Sequence, residues 1–462
     1  MKFTLDDIAR ATGGSLRGGN GGGELETIGI DTRRLPRGSL FVAVPGAHFD
    51  GHDFLGDAHA AGAAAALVKR GAKVPEGLPS LEVDDTVHAL GDIASWWRGR
   101  FMVPCVAITG SNGKSTTKEM AAAIMETTGP ILKTEGNFNN LIGLPLTVFR
   151  WSDEHRSAVL EMGMNAPGEI RRLADIARPD VGLITNVTAA HLEKLHTVEA
   201  VARAKGELFE AMGDHGVAVV NAEDRWVREM ASLHSGRKIS FGMQNDCDVK
   251  FLHMETTGLE GMDLALEAGG EEHRVKLPVP GSHNVMNAMA AVGIGMDLGM
   301  DAGESIARLA EFHPMSMRFE QLQLANGVRV VNDSYNANPE SMRAAFRTAG
   351  AAKRSGRFIA ALGDMLELGE QSAELHRLTG EDAVNMGVGE LFVMGDFALR
   401  VADGAKGAGL AESSIHVCED AEQLCREVED EMKSGDVLLV KGSRGMRMER
   451  LVDYLKQEIG TG

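Results

Sequence analysis

Apolar and polar positions alternate along this chain in blocks that change period. Near the N-terminus, MKFTLDDIARATGG carries apolar residues at helical spacing behind a capping threonine, the pattern of a short amphipathic helix. The run 39–44 predicts a buried strand, 54–66 a helix, and 86–101 a further helix. From 103 onward, short apolar runs at 103–108, 157–160, 181–185 and 217–220 alternate with helical stretches, which predicts a parallel α/β sheet. Between 238 and 278 the pattern becomes more β-like, and 284–298 predicts a helix rich in Ala and Met. A second alternating series, with strands at 328–331, 358–362, 391–393 and 437–440, predicts a separate, smaller nucleotide-fold domain. With about 150 residues as an ordinary domain size, 462 residues suggest three units, which we expect at 1–84, 85–314 and 315–462.

The strand at 103–108 runs into Thr109-Gly110-Ser111-Asn112-Gly113-Lys114-Ser115-Thr116, and a helical pattern follows. Strand, glycine loop, Lys-Ser and helix form the grammar of a nucleoside-triphosphate site. Glycines let backbone N–H groups approach phosphate oxygens, and the helix N-terminus adds partial positive charge. Lys114 would reach the β/γ-phosphates of ATP, and the Ser115 hydroxyl would hold Mg²⁺. Ile108 stands where the longer loop form carries its first glycine, so this is the short GxxGKS version.

The formal charge of −19 and the lack of a long Lys/Arg run argue against a nucleic-acid or anionic-membrane partner. An anionic ligand must then be held by local cations and backbone dipoles. The four cysteines form no CxxC pair, which fits a reduced cytoplasmic protein. No segment approaches the roughly 20 apolar residues that cross a bilayer.

Further candidates follow strand ends. Glu161 closes the run 157–160 and could share Mg²⁺ with Ser115. Asn137, Asn139 and Asn140 lie in a GNFNN loop that suits a tight turn or a ligand contact equally well. Asn186 and His191 lie just past another strand. Lys205 reads, on base rate, as a surface helix lysine. Asn284 and Asn287 share a helix face, where an amide pair can read a base edge or simply cap the helix. Arg318, Asp333 and Tyr335 precede a Pro-started helix, and Lys441-Gly442-Ser443-Arg444 offers two cations beyond the last strand.

The order of these blocks says more than each alone. TGSNGKSTTKEM, GNFNNLIGLP, LEMGMNAPGEI, AAHLE with AKGEL, GSHNVMNA, NDSYNANPESM, GDMLELG and VKGSRGMRME occur in one series, with Asp31-Thr32-Arg33 ahead of them. The series resembles the Mur ligases over essentially the whole chain. The resemblance implies a small α/β UDP-binding domain, a central parallel-sheet P-loop ATPase-like domain and a C-terminal Rossmann-like α/β domain. It implies ATP-dependent amide-bond formation through an acyl phosphate, in cytoplasmic peptidoglycan precursor synthesis, with Mg²⁺. DSYNANP and GDMLELG point to UDP-N-acetylmuramoyl-tripeptide and D-alanyl-D-alanine as substrates, and leave open diaminopimelate or lysine as the tripeptide's third residue. Alternatives are the addition of the third amino acid to a UDP-dipeptide, for which a DNPR-type signature is expected and not found, or a non-catalytic ATP-binding homologue. By the same resemblance, Lys114, Glu161, His191 and Lys205 are catalytic, and Lys205 becomes a metal-binding carboxylate by carbamylation. His191 lies near a second Mg²⁺. Asn284, Asn287, Arg318, Asp333 and Tyr335 hold ATP. Asp31, Thr32 and Arg33 hold the UDP end, while the asparagine loop and Lys441, Ser443 and Arg444 meet substrate. A monomer is expected.

Overall fold

The computed structural model describes residues 2–462 except 20, 47–48, 190–191, 244–245 and 352–355. The first helix is Leu5–Thr12, and Thr4 caps it reciprocally: its hydroxyl accepts from the Asp7 N–H at 3.1 Å, and the Asp7 carboxylate accepts from the Thr4 N–H at 2.9 Å. Leu5 and Ile8 face the core of a five-stranded sheet. Its order is Ser15–Arg17, Ser80–Val83, Ala65–Lys69, Leu40–Val42, Ile28–Gly29, with the first pair antiparallel and the rest parallel.

The helix expected over 54–66 is much shorter. It covers only Leu55–Ala60, the chain turns at Gly62 (φ 89°), and the alanine-rich run becomes the central strand Ala65–Lys69. A short apolar run suits a buried strand as well as a helix, and here both faces of the strand are covered.

Helix Thr86–Arg98 serves two cores. Ala89, Leu90 and Ile93 pack with the first sheet, whereas Ala94 and Trp97 pack with Phe101 in the next core. Trp97 Nε1 donates to the Trp151 carbonyl at 3.1 Å, and the Arg98 guanidinium lies 4.5 Å from the Trp151 ring centroid.

The central sheet runs Ile131–Lys133, Ser157–Glu161, Cys105–Thr109, Val181–Ile184, Val217–Asn221, Lys238–Gly242, Val249–Thr256, Met262–Ala268, Glu271–Leu277. It is parallel as far as Val249–Thr256, and the last three strands form antiparallel pairs, which accounts for the β-like stretch in the sequence. Successive residues of Cys105–Thr109 feed opposite cores: Cys105 and Ala107 one, Val106 and Ile108 the other. The chain leaves this strand for Ile131–Lys133 and then Ser157–Glu161 on one side, and later crosses to Val181–Ile184 on the other. Such a switch point opens a crevice at the carboxyl ends of the strands.

The last sheet runs Glu320–Gln323, Arg329–Asp333, Val437–Lys441, Phe358–Gly363, Glu390–Met394, Ile415–Cys418, parallel except for its first pair. Asp333 and Lys441 are register neighbours at its carboxyl edge. We propose the domain limits at 84/85 and 314/315, because each of the three larger sheets falls within one segment so defined. Among the described residues no helix is long and apolar enough to cross a membrane.

Candidate active site

The glycine loop joins Cys105–Thr109 to helix Lys114–Met125, and both glycines are required by geometry. Gly110 has φ 146°, and a Cβ there would lie 1.8 Å from Thr185 Oγ1. Gly113 has φ 80°, and a Cβ there would lie 2.4 Å from Asn287 Oδ1. Gly113→Ala is expected to destabilise the fold by about 1–3 kcal/mol, the cost of a strained left-handed residue before the clash is counted. Denaturant titration checks this, and an unchanged midpoint would contradict it.

The rest of the loop is stitched to the end of the neighbouring strand. The Ser111 N–H donates to the Asn186 carbonyl at 2.9 Å, and the Asn112 N–H donates to Asn186 Oδ1 at 2.9 Å. Thr185 Oγ1 donates to the Asn112 carbonyl at 2.6 Å. The Thr188 N–H donates to Ser111 Oγ at 2.9 Å. Preorganised in this way, the loop loses little freedom when a ligand arrives.

Lys114 folds back, its Nζ donating to the Gly110 carbonyl at 2.8 Å. Burial lowers its pKa, Glu161 opposes that shift, and Arg318 adds to it. A loop carbonyl is a weak partner for an ammonium group, so an arriving phosphate oxygen would draw Lys114 away. Ser115 Oγ donates to Glu161 Oε2 at 2.6 Å, and Asn139 Nδ2 donates to Glu161 Oε1 at 2.8 Å. Glu161 itself is buried, and its N–H donates to Thr134 Oγ1 at 3.0 Å. A buried carboxylate beside a hydroxyl, contacted by neutral donors, is an oxygen set that fits Mg²⁺. That ion commonly takes one or two carboxylates and completes its shell with phosphate and water. Among the described residues, no cluster of three or more His, Cys, Asp or Glu could hold a metal; Ser115 and Glu161 would hold the ion with phosphate oxygens and water completing its shell.

Lys205 overturns its reading as a surface lysine. It lies on helix Val198–Met212 and is 1% exposed. Burial first, and then the charge of Lys114, hold its amine well below the ordinary lysine range. Neither of these influences comes from a carboxylate. The expectation of a solvent-facing side chain came from the base rate for lysine, which is almost never fully buried unless paired. His191 lies outside the described residues.

Asn284 and Asn287 are buried on helix Ser282–Asp297. Asn284 Nδ2 donates to the Pro280 carbonyl at 2.7 Å, Asn287 Nδ2 donates to Asn284 Oδ1 at 3.0 Å, and Thr117 Oγ1 donates to Asn287 Oδ1 at 3.1 Å. The pair thus ties this helix to the phosphate-loop helix while facing the cleft.

The opposite wall comes from the last sheet. Arg318 stacks 3.8 Å from the Tyr335 ring centroid. Its neighbours Met317 (φ 60°) and Phe319 (φ 55°) are both left-handed, held by Met317 N–H to Glu320 Oε2 at 2.9 Å and Phe319 N–H to Asp333 Oδ1 at 3.1 Å. Buried Lys441 donates to Asp333 Oδ2 at 2.5 Å and to the Asn336 carbonyl at 2.9 Å. Ser443 Oγ accepts from the Leu366 N–H at 2.8 Å, which fixes the GDMLELG loop. Arg444 is half exposed and pairs with Glu449 at 2.8 Å.

One cleft of about 920 Å³ gathers these groups. Ser111 to Thr116, Asn137, Asn139, Asn140, Glu161, Asn284, Asn287, Arg318, Asp333, Tyr335, Lys441, Ser443 and Arg444 all line it. Thr109, Gly110 and Lys205 are not among the residues that line it. Asp31, Thr32 and Arg33 do not line it either. In the first domain Asp31 caps the turn Thr32–Arg34, and Arg33 binds its carboxylate through two nitrogens at 2.9 and 2.8 Å, holding the Asp31 pKa at about 2. Sequence reasoning assigned no role to Thr185, Thr134 or Asn338. Asn338 had a signal, since an Asn directly before a helix-starting Pro reads as a cap. Thr185 and Thr134 had none, being ordinary strand-end residues until the sheet brings Thr185 against the glycine loop and Thr134 against Glu161.

Comparison with known proteins agrees with this arrangement. The family description "Mur ligase middle domain" matches residues 108–295, "Mur ligase, glutamate ligase domain" matches 317–444, and "Mur ligase family, catalytic domain" matches 24–98. The chain is 37% identical, over 100% of both chains, to UDP-N-acetylmuramoyl-tripeptide--D-alanyl-D-alanine ligase of Escherichia coli. It is 34% identical to the protein of that name from Bacillus subtilis, over 98% of both. Among solved structures, MurF from Acinetobacter baumannii superposes with a TM-score of 0.90 at 30% identity, over 99% of both chains. MurF ligase from Thermotoga maritima in complex with ADP superposes with 0.83 at 29% identity, over 94% of this chain and 97% of that one. With its loop, its cleft and its full-length relatives in agreement, the chain belongs to the Mur ligase family.

Proposed function

We infer that this protein is an ATP-dependent ligase that joins D-alanyl-D-alanine to UDP-N-acetylmuramoyl-tripeptide through an acyl phosphate, in peptidoglycan precursor synthesis. The observation that carries the reading is the single cleft in which the phosphate loop faces the strand ends of the last sheet. The full-length relatives named for this reaction support it. Addition of a third amino acid to a UDP-dipeptide and a non-catalytic role are both less favoured.

A carboxylate resists attack by an amine until one of its oxygens becomes a leaving group. Transfer of the γ-phosphoryl group of ATP to the substrate's terminal carboxylate supplies one. The amine of D-alanyl-D-alanine then attacks the carbonyl carbon, loses a proton, and inorganic phosphate leaves. Bringing carboxylate against triphosphate sets anion against anion, and fixed cations must offset the repulsion. Lys114 moves from the Gly110 carbonyl to the phosphates. Arg318, held flat on Tyr335, and the loop N–H groups add donors from two sides of the cleft. Mg²⁺, which Ser115 and Glu161 would hold, supplies further charge neutralisation. Asn139 keeps the Glu161 carboxylate oriented.

We propose that Lys205 reacts with carbon dioxide to form a carbamate, releasing one proton and turning an amine into a metal-binding carboxylate. Its depressed pKa and its buried position beside Lys114 support this. His191 is assigned to a second Mg²⁺ by family analogy alone. Asp31, Thr32 and Arg33 are assigned to the UDP end. Asn137, Asn139, Asn140, Lys441, Ser443 and Arg444 are assigned to substrate, and a cytoplasmic monomer is expected.

Isotope transfer tests the chemistry. With ¹⁸O in the tripeptide's terminal carboxylate, one labelled oxygen should appear in the released phosphate. Phosphate free of label would exclude the acyl phosphate.

A further inference from the structure

Asn338 performs two jobs with one amide. Its Oδ1 accepts from the Ser341 N–H at 2.9 Å, capping helix Pro339–Ala351. Its Nδ2 is then left to point away from the helix, and it donates to Asn112 Oδ1 at 2.7 Å. Asn338 is buried, and both residues line the cleft. Asn112 is the middle of the phosphate loop, with its backbone pinned on Thr185 and Asn186.

The far side of this contact is equally well fixed. The two residues before Asn338 are held by the last strand of their own domain. Lys441 donates to the Asn336 carbonyl at 2.9 Å and Ser443 Oγ to the Ala337 carbonyl at 3.4 Å. Moving Asn338 therefore moves Asp333, Lys441 and Ser443 as a unit. Among the described residues, hydrogen bonds from Gln321 Nε2 to the Leu259 carbonyl and from the Glu193 N–H to the Glu367 carbonyl also link the central and last domains, and neither touches the loop.

We propose that Asn338 is a positioning residue: its hydrogen bond to Asn112 sets the last domain's cationic strand end in register with the phosphate loop, and so couples nucleotide at the loop to the placement of the second substrate's site. This rests on the reading of the loop as an ATP site. The bond is made by side chains only, so it can be removed while the cap is kept. Serine caps a helix about as well as asparagine but is too short to reach Asn112.

Two measurements on the full chain test the proposal. Hydrogen exchange with and without ADP is followed at residues 111–117 and at 336–344. In the native protein ADP should slow exchange at both segments. In Asn338→Ser the slowing at 111–117 should persist and that at 336–344 should vanish. Retention at both segments, or loss at both, overturns the proposal. If ADP slows neither segment in the native protein, the ATP-site reading fails, and the coupling falls with it. A double-mutant cycle with Asn112→Ala then reads kcat/KM for D-alanyl-D-alanine. Asn338→Ser should lower it by roughly five- to tenfold, the scale of one buried hydrogen bond, and the double variant should be little worse than either single one. Effects that multiply independently would overturn it. Unchanged melting of Asn338→Ser shows that the cap survives, and if melting falls, Asn338→Asp, which also caps but lacks the donor, must reproduce the exchange result.

Discussion

Lys114→Ala should reduce ATP-driven phosphate release by about a thousandfold, the scale seen when one preorganised donor to developing charge is removed. The side chain now rests on the Gly110 carbonyl at 2.8 Å, and burial already strains its charge. Removing it therefore costs the fold little, and thermal melting should barely move. ATP should still bind, more weakly, because the loop N–H groups and the helix N-terminus remain. Lys114→Arg should not restore the rate, since the bulkier planar guanidinium presents its donors in a different geometry. Near-native turnover of Lys114→Ala, measured with both substrates present, would refute the assignment of the loop.

The second large effect belongs to Lys205. Lys205→Ala and Lys205→Met should both lower turnover by about a hundredfold, the upper scale for loss of a group that tunes a metal site. The two should part in their response to added formate or acetate. Alanine leaves space in which a small carboxylate can stand in for the carbamate, so partial recovery is expected. Methionine fills that space, and none is expected. Stability separates the roles further. Lys205 is buried among groups that include no carboxylate felt by its charge, so Lys205→Met should melt no lower than the native protein. Full activity of Lys205→Met would remove the carbamate proposal, whatever its stability.

How legible was this in the sequence? The loop was fully so, because its function imposes glycine where φ is positive and a Cβ would strike Thr185 or Asn287. The strand expected over 103–108, which covers Cys105–Thr109, and the one at 437–440 were legible because both faces are covered and residues 105–108 and 437–440 are purely apolar. The region 54–66 was misread, since an alanine-rich stretch carries almost no period and the turn at Gly62 decides it. Lys205 was misread from the residues alone for a different reason. A buried lysine contradicts local propensity, and such contradictions gather at functional sites. Asn284 and Asn287 line the cleft, but their amides are largely spent on Pro280, on each other and on Thr117. Sequence spacing puts two side chains on one face and cannot say who else is waiting there. The Asn112–Asn338 contact spans 226 positions, and only the assembled sheets bring its ends together.

The central claim is that the energy of ATP is used to join two particular peptides. Phosphate release by the purified protein, with ATP and Mg²⁺ present throughout, tests it most directly. Release should require UDP-N-acetylmuramoyl-tripeptide and D-alanyl-D-alanine together, with neither sufficient alone. Equal release with a UDP-dipeptide and a single amino acid, or release from ATP with no amine present, would contradict the account.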